Sequence, residues 1–216
     1  METLKKDWAV WLMLIIPFAF LAVYWDRFPE QIPTHFGMDG KPDDYSGKTF
    51  GLLMLPLINT GMYFLFMLLP KIDPSGKNYK LFSDKYFIIR LVLHAFFTFL
   101  FFVIAFYSLG YAFNISLFMM YGMLLLFLLL GNYMGNVRPN YFIGVRTPWT
   151  LANEEVWTKT HRLTAKLWVF SSLIMMALLP LLPEEAFGAF IIVISVIPVA
   201  YSFILFKKIQ NTGSVK

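Results

Sequence analysis

Six runs of mainly apolar residues, approximately 8–25, 49–69, 86–109, 115–134, 164–182 and 187–206, leave this chain few folds to choose from. A helix needs about 20 such residues to cross the hydrocarbon core of a bilayer. Inside lipid every backbone N–H and C=O must be bonded within its own segment, so spans of this kind are helices. The 216 residues are 58% hydrophobic and 14% charged, with a mean hydropathy of +0.63. A soluble domain of this size has too little interior to hide that much apolar surface. The expected fold is therefore an all-α integral membrane protein with six transmembrane helices. The first run, Trp8 to Trp25, exceeds a signal-peptide core and lacks a small-x-small cleavage pattern, which predicts a retained first span.

Charge asymmetry orients these spans. Of the 18 Lys and Arg residues, fourteen fall on one side: Lys5, Lys6, Lys71, Lys77, Lys80, Lys85, Arg138, Arg146, Lys159, Arg162, Lys166, Lys207, Lys208 and Lys216. The other side carries Arg27, Lys41 and Lys48, in a loop that also holds Asp26, Glu30, Asp39, Asp43 and Asp44, while Glu184 and Glu185 lie in the fifth loop. The positive-inside rule then predicts a multi-pass membrane protein with both termini cytoplasmic. The first loop faces outside, and the segment from Gly135 to Thr150 faces the cytoplasm. The pI of about 9.3 reports this topology and contact with anionic membrane lipids. No nucleic-acid motif is present, so direct binding to nucleic acid is not expected. Absent cysteine excludes disulfides and thiolate metal sites, and no cofactor is implied. The order of long and short loops repeats from spans 1–3 to spans 4–6 with opposite sense, the layout of an inverted repeat. No residue-level identity joins the halves, and coincidence of loop lengths is the simpler account.

The outer loop, "RFPEQIPTHFGMDGKPDDYSGK", is specified rather than floppy. Pro29, Pro33 and Pro42 fix backbone angles, while Gly37, Gly40 and Gly47 permit positive ones. Ile32 to Phe36 is expected to form a short strand, turned back at Met38-Asp39-Gly40. His35 with Asp39, Asp43 and Asp44 fits neither a zinc pair on a helix nor a calcium loop, so a hydrogen-bonding His is the better reading and no metal is assigned.

The cytoplasmic segment has its own logic. Thr147-Pro148 suits a helix N-cap followed by Pro at the first position, and Thr150 is a second candidate cap. From about Leu151 a helix is expected to lie at the membrane interface and feed the fifth span. Glu155, Lys159, Arg162 and Lys166 share one stripe; Glu154, Trp157, His161, Thr164 and Trp168 lie nearly opposite. A shielded Glu154 needs a partner. One reading is a polar cluster of Arg138, Arg146, Glu154 and His161; the other is that both Arg residues hold lipid phosphates. Within the spans, Arg90 and His94 are the ionisable candidates. Arg90 is expected to snorkel to the inner surface. His94 is expected deeper, facing the bundle, as a hydrogen-bonding group or proton relay. Asn59, Asn114 and Ser171-Ser172 are candidates for interhelical hydrogen bonds.

Two motifs carry a resemblance. Pro29, Ile32, Pro33, His35, Phe36, Gly37, Gly40, Pro42 and Lys48 match the P-x-x-I-P-x-H-F-G-x-x-G-x-P loop of a bacterial DUF1648-like domain. Asn132, Arg138, Asn140, Gly144, Arg146, Thr147, Pro148, Trp149, Thr150, Trp157, His161 and Arg162 resemble the signature of the SdpI-like immunity protein family, with "IGVRTPWTL" as its most specific core. Thr164-Ala165 departs from the glycine common there. The resemblance implies a DUF1648-like region over 1–70, a connector and third span over 71–112, and an SdpI-like module over 113–216. It further implies resistance to a secreted, membrane-damaging peptide toxin. The outer loop would sense toxin, and the cytoplasmic motif would capture a transcriptional repressor. A small-molecule or lipid transporter is the alternative, since Pro17, Pro56 and Pro198 interrupt spans. No enzyme is expected: paired intramembrane acids, a Ser–His pair and H-E-x-x-H are all missing.

Overall fold

A computed structural model describes residues 7–37, 40–183 and 185–213. It is mostly helical. The helices are α1 (Trp8–Tyr24), α2 (Lys48–Ile72), α3 (Ser83–Ser108), α4 (Ile115–Met134), the short α5 (Pro148–Ala152), α6 (Glu154–Leu178) and α7 (Glu185–Asn211). All but α5 are long and apolar enough to cross a membrane, which makes six such helices among the described residues. Short 3-10 turns extend three of them, at Trp25–Arg27, Gly76–Phe82 and Leu179–Leu181. Pro17 and Pro198 sit inside α1 and α7 without ending either. Exposed Leu, Ile, Phe and Val cover the outsides of these helices, as lipid-facing surfaces require.

One element is not helical. The first loop forms an antiparallel hairpin of β1 (Gln31–Phe36) and β2 (Pro42–Gly47), paired from Gln31 with Gly47 to Phe36 with Pro42. The expected strand is therefore present, and a second, unforeseen one pairs with it, so the all-α description needs this exception. The turn expected at Met38-Asp39-Gly40 has its first two residues outside the described ones; Gly40 itself has φ +69°.

The chain divides into two compact units, neither continuous in sequence. The first takes the chain up to Phe66 together with Arg90–Leu126; the second takes Met67–Ile89 and everything from Phe127 onward. In the first, Leu21, Phe28, Ile32, Leu52, Phe101 and Ala105 form a buried cluster that includes one hairpin residue, Ile32. In the second, Val156, Leu205 and Ile209 pack together, with Trp149 and Phe206 against them.

The helix expected from about Leu151 is not one separate segment ahead of the fifth span. The chain breaks once, at Asn153, and α6 then runs unbroken from Glu154 to Leu178. Asn153 caps it, its Oδ1 accepting from the amides of Glu155 (2.9 Å) and Val156 (3.0 Å).

Candidate functional site

In the first unit the hairpin is held by a knob and a gap. Ile32 is fully buried, and Gly51 on α2 provides the space: a Cβ there would lie 2.6 Å from Ile32 Cβ. Pro33 is also buried, Phe36 meets the Tyr107 ring edge-on at 5.2 Å, and the position of Gly40 faces the Ser116 hydroxyl. Lys48 closes the base. Its amide donates to Glu30 O (2.9 Å), and its ammonium lies 3.7 Å from Glu30 Oε1 and over the Trp25 ring at 5.4 Å. Pro29 is exposed and Gly37 half-buried, with the Gly37 amide donating to Lys41 O. The outward face carries His35, whose Nδ1 is 2.5 Å from Asp43 Oδ1, and the half-exposed Tyr45 ring. The same unit contains an apolar cup of about 460 Å³ lined by Phe99, Phe102, Val103, Phe106, Tyr111, Phe113 and Phe118.

Below it, the unit holds a buried polar chain between α1, α2 and α3. Arg90 Nη2 donates to Asp7 Oδ2 at 2.9 Å, with both side chains almost wholly buried. Tyr63 OH donates to the same Asp7 oxygen and accepts from Trp11 Nε1. Arg90 therefore does not snorkel; a carboxylate 83 residues away in sequence, which the sequence reading had not singled out, neutralises it in the bundle. His94 is fully buried, and its Nδ1 lies 2.7 Å from Asn59 Oδ1. Asn59 also donates to His94 O and to Thr98, which reaches Met13 O on α1. Asn59 thus joins helices as expected. Asn114 instead accepts from the Leu117 amide at the start of α4, Ser171 bonds its own helix at Leu167 O, and Ser172 is buried without a hydrogen-bond partner among the described residues.

The second unit builds the other motif as a loop that satisfies its own backbone. Asn140, 1% exposed, uses both ends of its amide: Oδ1 accepts from Phe142 and Ile143, and Nδ2 donates to Arg138 O and Ile143 O. Gly144 follows with φ +107°, and any Cβ there would overlap His161 Nε2. That nitrogen accepts from the Val145 amide at 3.0 Å, while Nδ1 donates to Trp157 O at 2.8 Å. These partners fix one neutral tautomer, because an amide only donates and a carbonyl only accepts. His161 stacks on Trp157 at 4.1 Å, and Trp157 Nε1 donates to Val137 O. Thr147 caps the helix with Pro148 at its start, as expected, while Thr150 is not a second cap but the N3 partner of Thr147 in a reciprocal capping box. Thr150 Oγ1 also reaches Val145 O, and Thr147 Oγ1 pairs with Ser202 of α7. Trp149 meets Phe203 at 4.9 Å.

The cluster of Arg138, Arg146, Glu154 and His161 does not form. Glu154 is exposed, because it is the first residue of α6 and lies beyond the packed stretch that begins at Val156. Arg138 and Arg146 are also exposed, and Arg146 Nη1 donates to Tyr141 O within the loop. Lys159 and Glu155 pair on the outside at 2.6 Å, and Arg162 is exposed on the same stripe. Asn132 is exposed near the end of α4.

Sequence reasoning passed over the group that ties the preceding loop to this one. Asp73, 6% exposed, accepts from the Ser75 amide, Tyr79 OH and the Tyr141 amide. Asn78 donates to Pro139 O at 2.8 Å. An Asp two residues before a Ser in a Pro-Ser-Gly turn is a local turn signal; its second task, 68 residues away, has none.

Comparison with known proteins bears on both regions. Residues 136–205 match the SdpI/YfhL protein family, and residues 12–60 match a domain of unknown function (DUF1648). The chain is 27% identical to "Immunity protein SdpI" of Bacillus subtilis (strain 168) over 203 residues, 94% of this chain and 92% of that protein. No solved structure matches it.

Proposed function

We propose that the chain, whose residues 136–205 match the SdpI/YfhL protein family and whose residues 12–60 match DUF1648, is a bacterial immunity protein of that family. It protects the cell from a secreted peptide toxin that damages membranes. The observation that carries this reading is a likeness to an immunity protein that runs through nearly the whole of both chains rather than one module. In the orientation set by the Lys and Arg distribution, both termini and the Gly135–Thr150 loop are cytoplasmic and the hairpin is outside. The hairpin then offers toxin a rigid surface of His35, Asp43 and Tyr45, fixed from below by Ile32. On the inner side, Tyr141, Phe142 and Arg146 are exposed on a loop whose backbone is already satisfied, a surface suited to holding a cytoplasmic repressor.

The test is a killing assay. The protein is expressed in a toxin-sensitive bacterium, its membrane level is checked, and the cells are challenged with the peptide. Survival that is lost when His35, Asp43 and Tyr45 are together replaced by Ala, at unchanged membrane level, is the expected result. Normal membrane level with no protection overturns the immunity reading, and substrate uptake into vesicles under those conditions establishes transport instead.

A further inference from the structure

The second unit contains a cavity of about 320 Å³ whose walls come from three stretches of chain. Lys80, Ser83, Asp84 and Lys85 come from the junction of the Gly76–Phe82 turn with α3; Asn136 and Arg138 follow α4; Thr158 and Arg162 lie on α6. Phe82 and Val137, which also line it, are buried. Four cations thus face one space with a single carboxylate, Asp84, among them. Among the described residues, none of these four cations is in an ion pair. Gathering like charges costs free energy that an anion would return. Ser83, Asn136 and Thr158 add neutral donors, the complement that an anion with several oxygens needs. Leu81 stands at the rim, 69% exposed. An apolar side chain there has nothing to do for an inorganic ion but suits the glycerol and acyl end of a lipid.

We propose that this pocket binds a phosphate-bearing anion through Lys80, Lys85, Arg138 and Arg162, either the headgroup of an anionic phospholipid or a free phosphate of the same chemistry. Basic pockets between helices at the cytoplasmic headgroup level are where such lipids dock. The proposal needs only the pocket and not the immunity reading, so failure of the killing assay leaves it standing.

The experiment uses the full chain in nanodiscs containing phosphatidylglycerol or only phosphatidylcholine. Lipids retained after release into detergent are counted by native mass spectrometry, and inorganic phosphate is titrated in parallel with phosphorus NMR. Four variants are compared: Lys80→Gln with Lys85→Gln, Arg138→Gln with Arg162→Gln, Lys80→Arg with Lys85→Arg, and Lys159→Gln. The expected result is retention of phosphatidylglycerol that falls roughly thirtyfold in each charge-removing pair, from the combined contribution of two basic side chains. The Arg-for-Lys pair retains it, which separates lost charge from lost fold, and so does Lys159→Gln, whose cation lies outside the pocket. Saturable phosphate binding, lost in the same pairs and competing with the lipid, assigns the site to free phosphate and also supports the proposal. Equal retention of both lipids, or equal loss in Lys159→Gln, overturns it. So does a pocket that takes an acidic protein segment while phosphate neither binds nor competes.

Discussion

The hairpin over Gln31–Gly47 and the loop over Gly135–Thr150 are both rich in Pro, Gly and aromatic residues, yet they are ordered by opposite means. The hairpin is fastened by a shape: Ile32 fills the space that Gly51 leaves open, and most polar side chains of the strands point out. The other loop is fastened by donors and acceptors: Asn140, His161, Thr150 and Trp157 are buried, and each answers a backbone group of the loop. A packed knob tolerates a change of polarity on its far side, whereas a buried hydrogen-bond set fails when one member is lost and its partners stay desolvated. The exposed face of the hairpin is therefore free to vary with what it meets, while the Gly135–Thr150 loop holds one backbone shape.

Gly144→Ala is the sharpest test of the Gly135–Thr150 loop, with the largest expected effect. The left-handed backbone costs a side chain about 1–2 kcal/mol. Displacing His161 strands the Val145 amide for a further ~1–3 kcal/mol. A loss of roughly 3 kcal/mol in unfolding free energy is expected for the purified protein in detergent, measured by thermal or chemical unfolding. A loss well under 1 kcal/mol would show that the loop does not depend on this contact. Asn140→Ala comes next, at about 2 kcal/mol, because two amides and two carbonyls lose their partner but water can reach some of them. Asn140→Asp keeps the two acceptor bonds and should recover part of that loss; no recovery would mean that the donor side carries the turn. The same logic gives His161 a pH signature. Adding a proton to Nε2 sets it against the Val145 N–H, so acid should loosen the loop in hydrogen exchange at Val145 while the hairpin amides stay protected.

The contrast also explains what was legible. The spans could be read because roughly 20 apolar residues in a row admit few other structures. The Thr147-Pro148 cap was legible because capping is local, set by residues within one turn. Strand β2, "PDDYSG", carries no alternation and few strand formers; it is a strand because β1 lies beside it. Asn153 was passed over because Leu151 and Ala152 continue a helical pattern, and only the geometry shows the chain breaking and restarting there. A helical wheel begun at Leu151 puts Glu154 on the hidden face, whereas the helix starts at Glu154 itself and leaves it exposed. Arg90 was read by its own depth, since nothing near it in sequence announces that Asp7 supplies its counter-charge. Periodicity tells which face a residue is on, but long-range polar pairing has no periodic trace.

On the hairpin side the expected effects on stability are smaller and the effects on function larger. Gly51→Ala puts a Cβ into the Ile32 side chain, and overpacking of this kind costs about 1–3 kcal/mol. It should reduce toxin protection by tilting the hairpin while leaving hydrogen exchange in the Gly135–Thr150 loop unchanged. A double change, Gly51→Ala with Ile32→Ala, removes the two γ carbons that crowd the new Cβ and should restore part of the protection; if it does not, the knob is not what sets the hairpin.

His35→Ala should hardly register in stability. Its partner Asp43 is more than half exposed and so is the ring, and exposed pairs contribute roughly 0–1 kcal/mol. If the hairpin is the toxin surface, the same substitution should nevertheless weaken protection in the killing assay, because it removes a polar group from the outward face without moving Ile32. The sidedness on which this depends can be read directly. The chain has no cysteine, so Tyr45→Cys and Lys159→Cys each introduce a single thiol with no background. A membrane-impermeant maleimide added to intact cells should label Tyr45→Cys and spare Lys159→Cys until the cells are opened. The reverse pattern would place the hairpin in the cytoplasm, where a secreted toxin does not meet it, and the division of labour between the two loops would have to be exchanged.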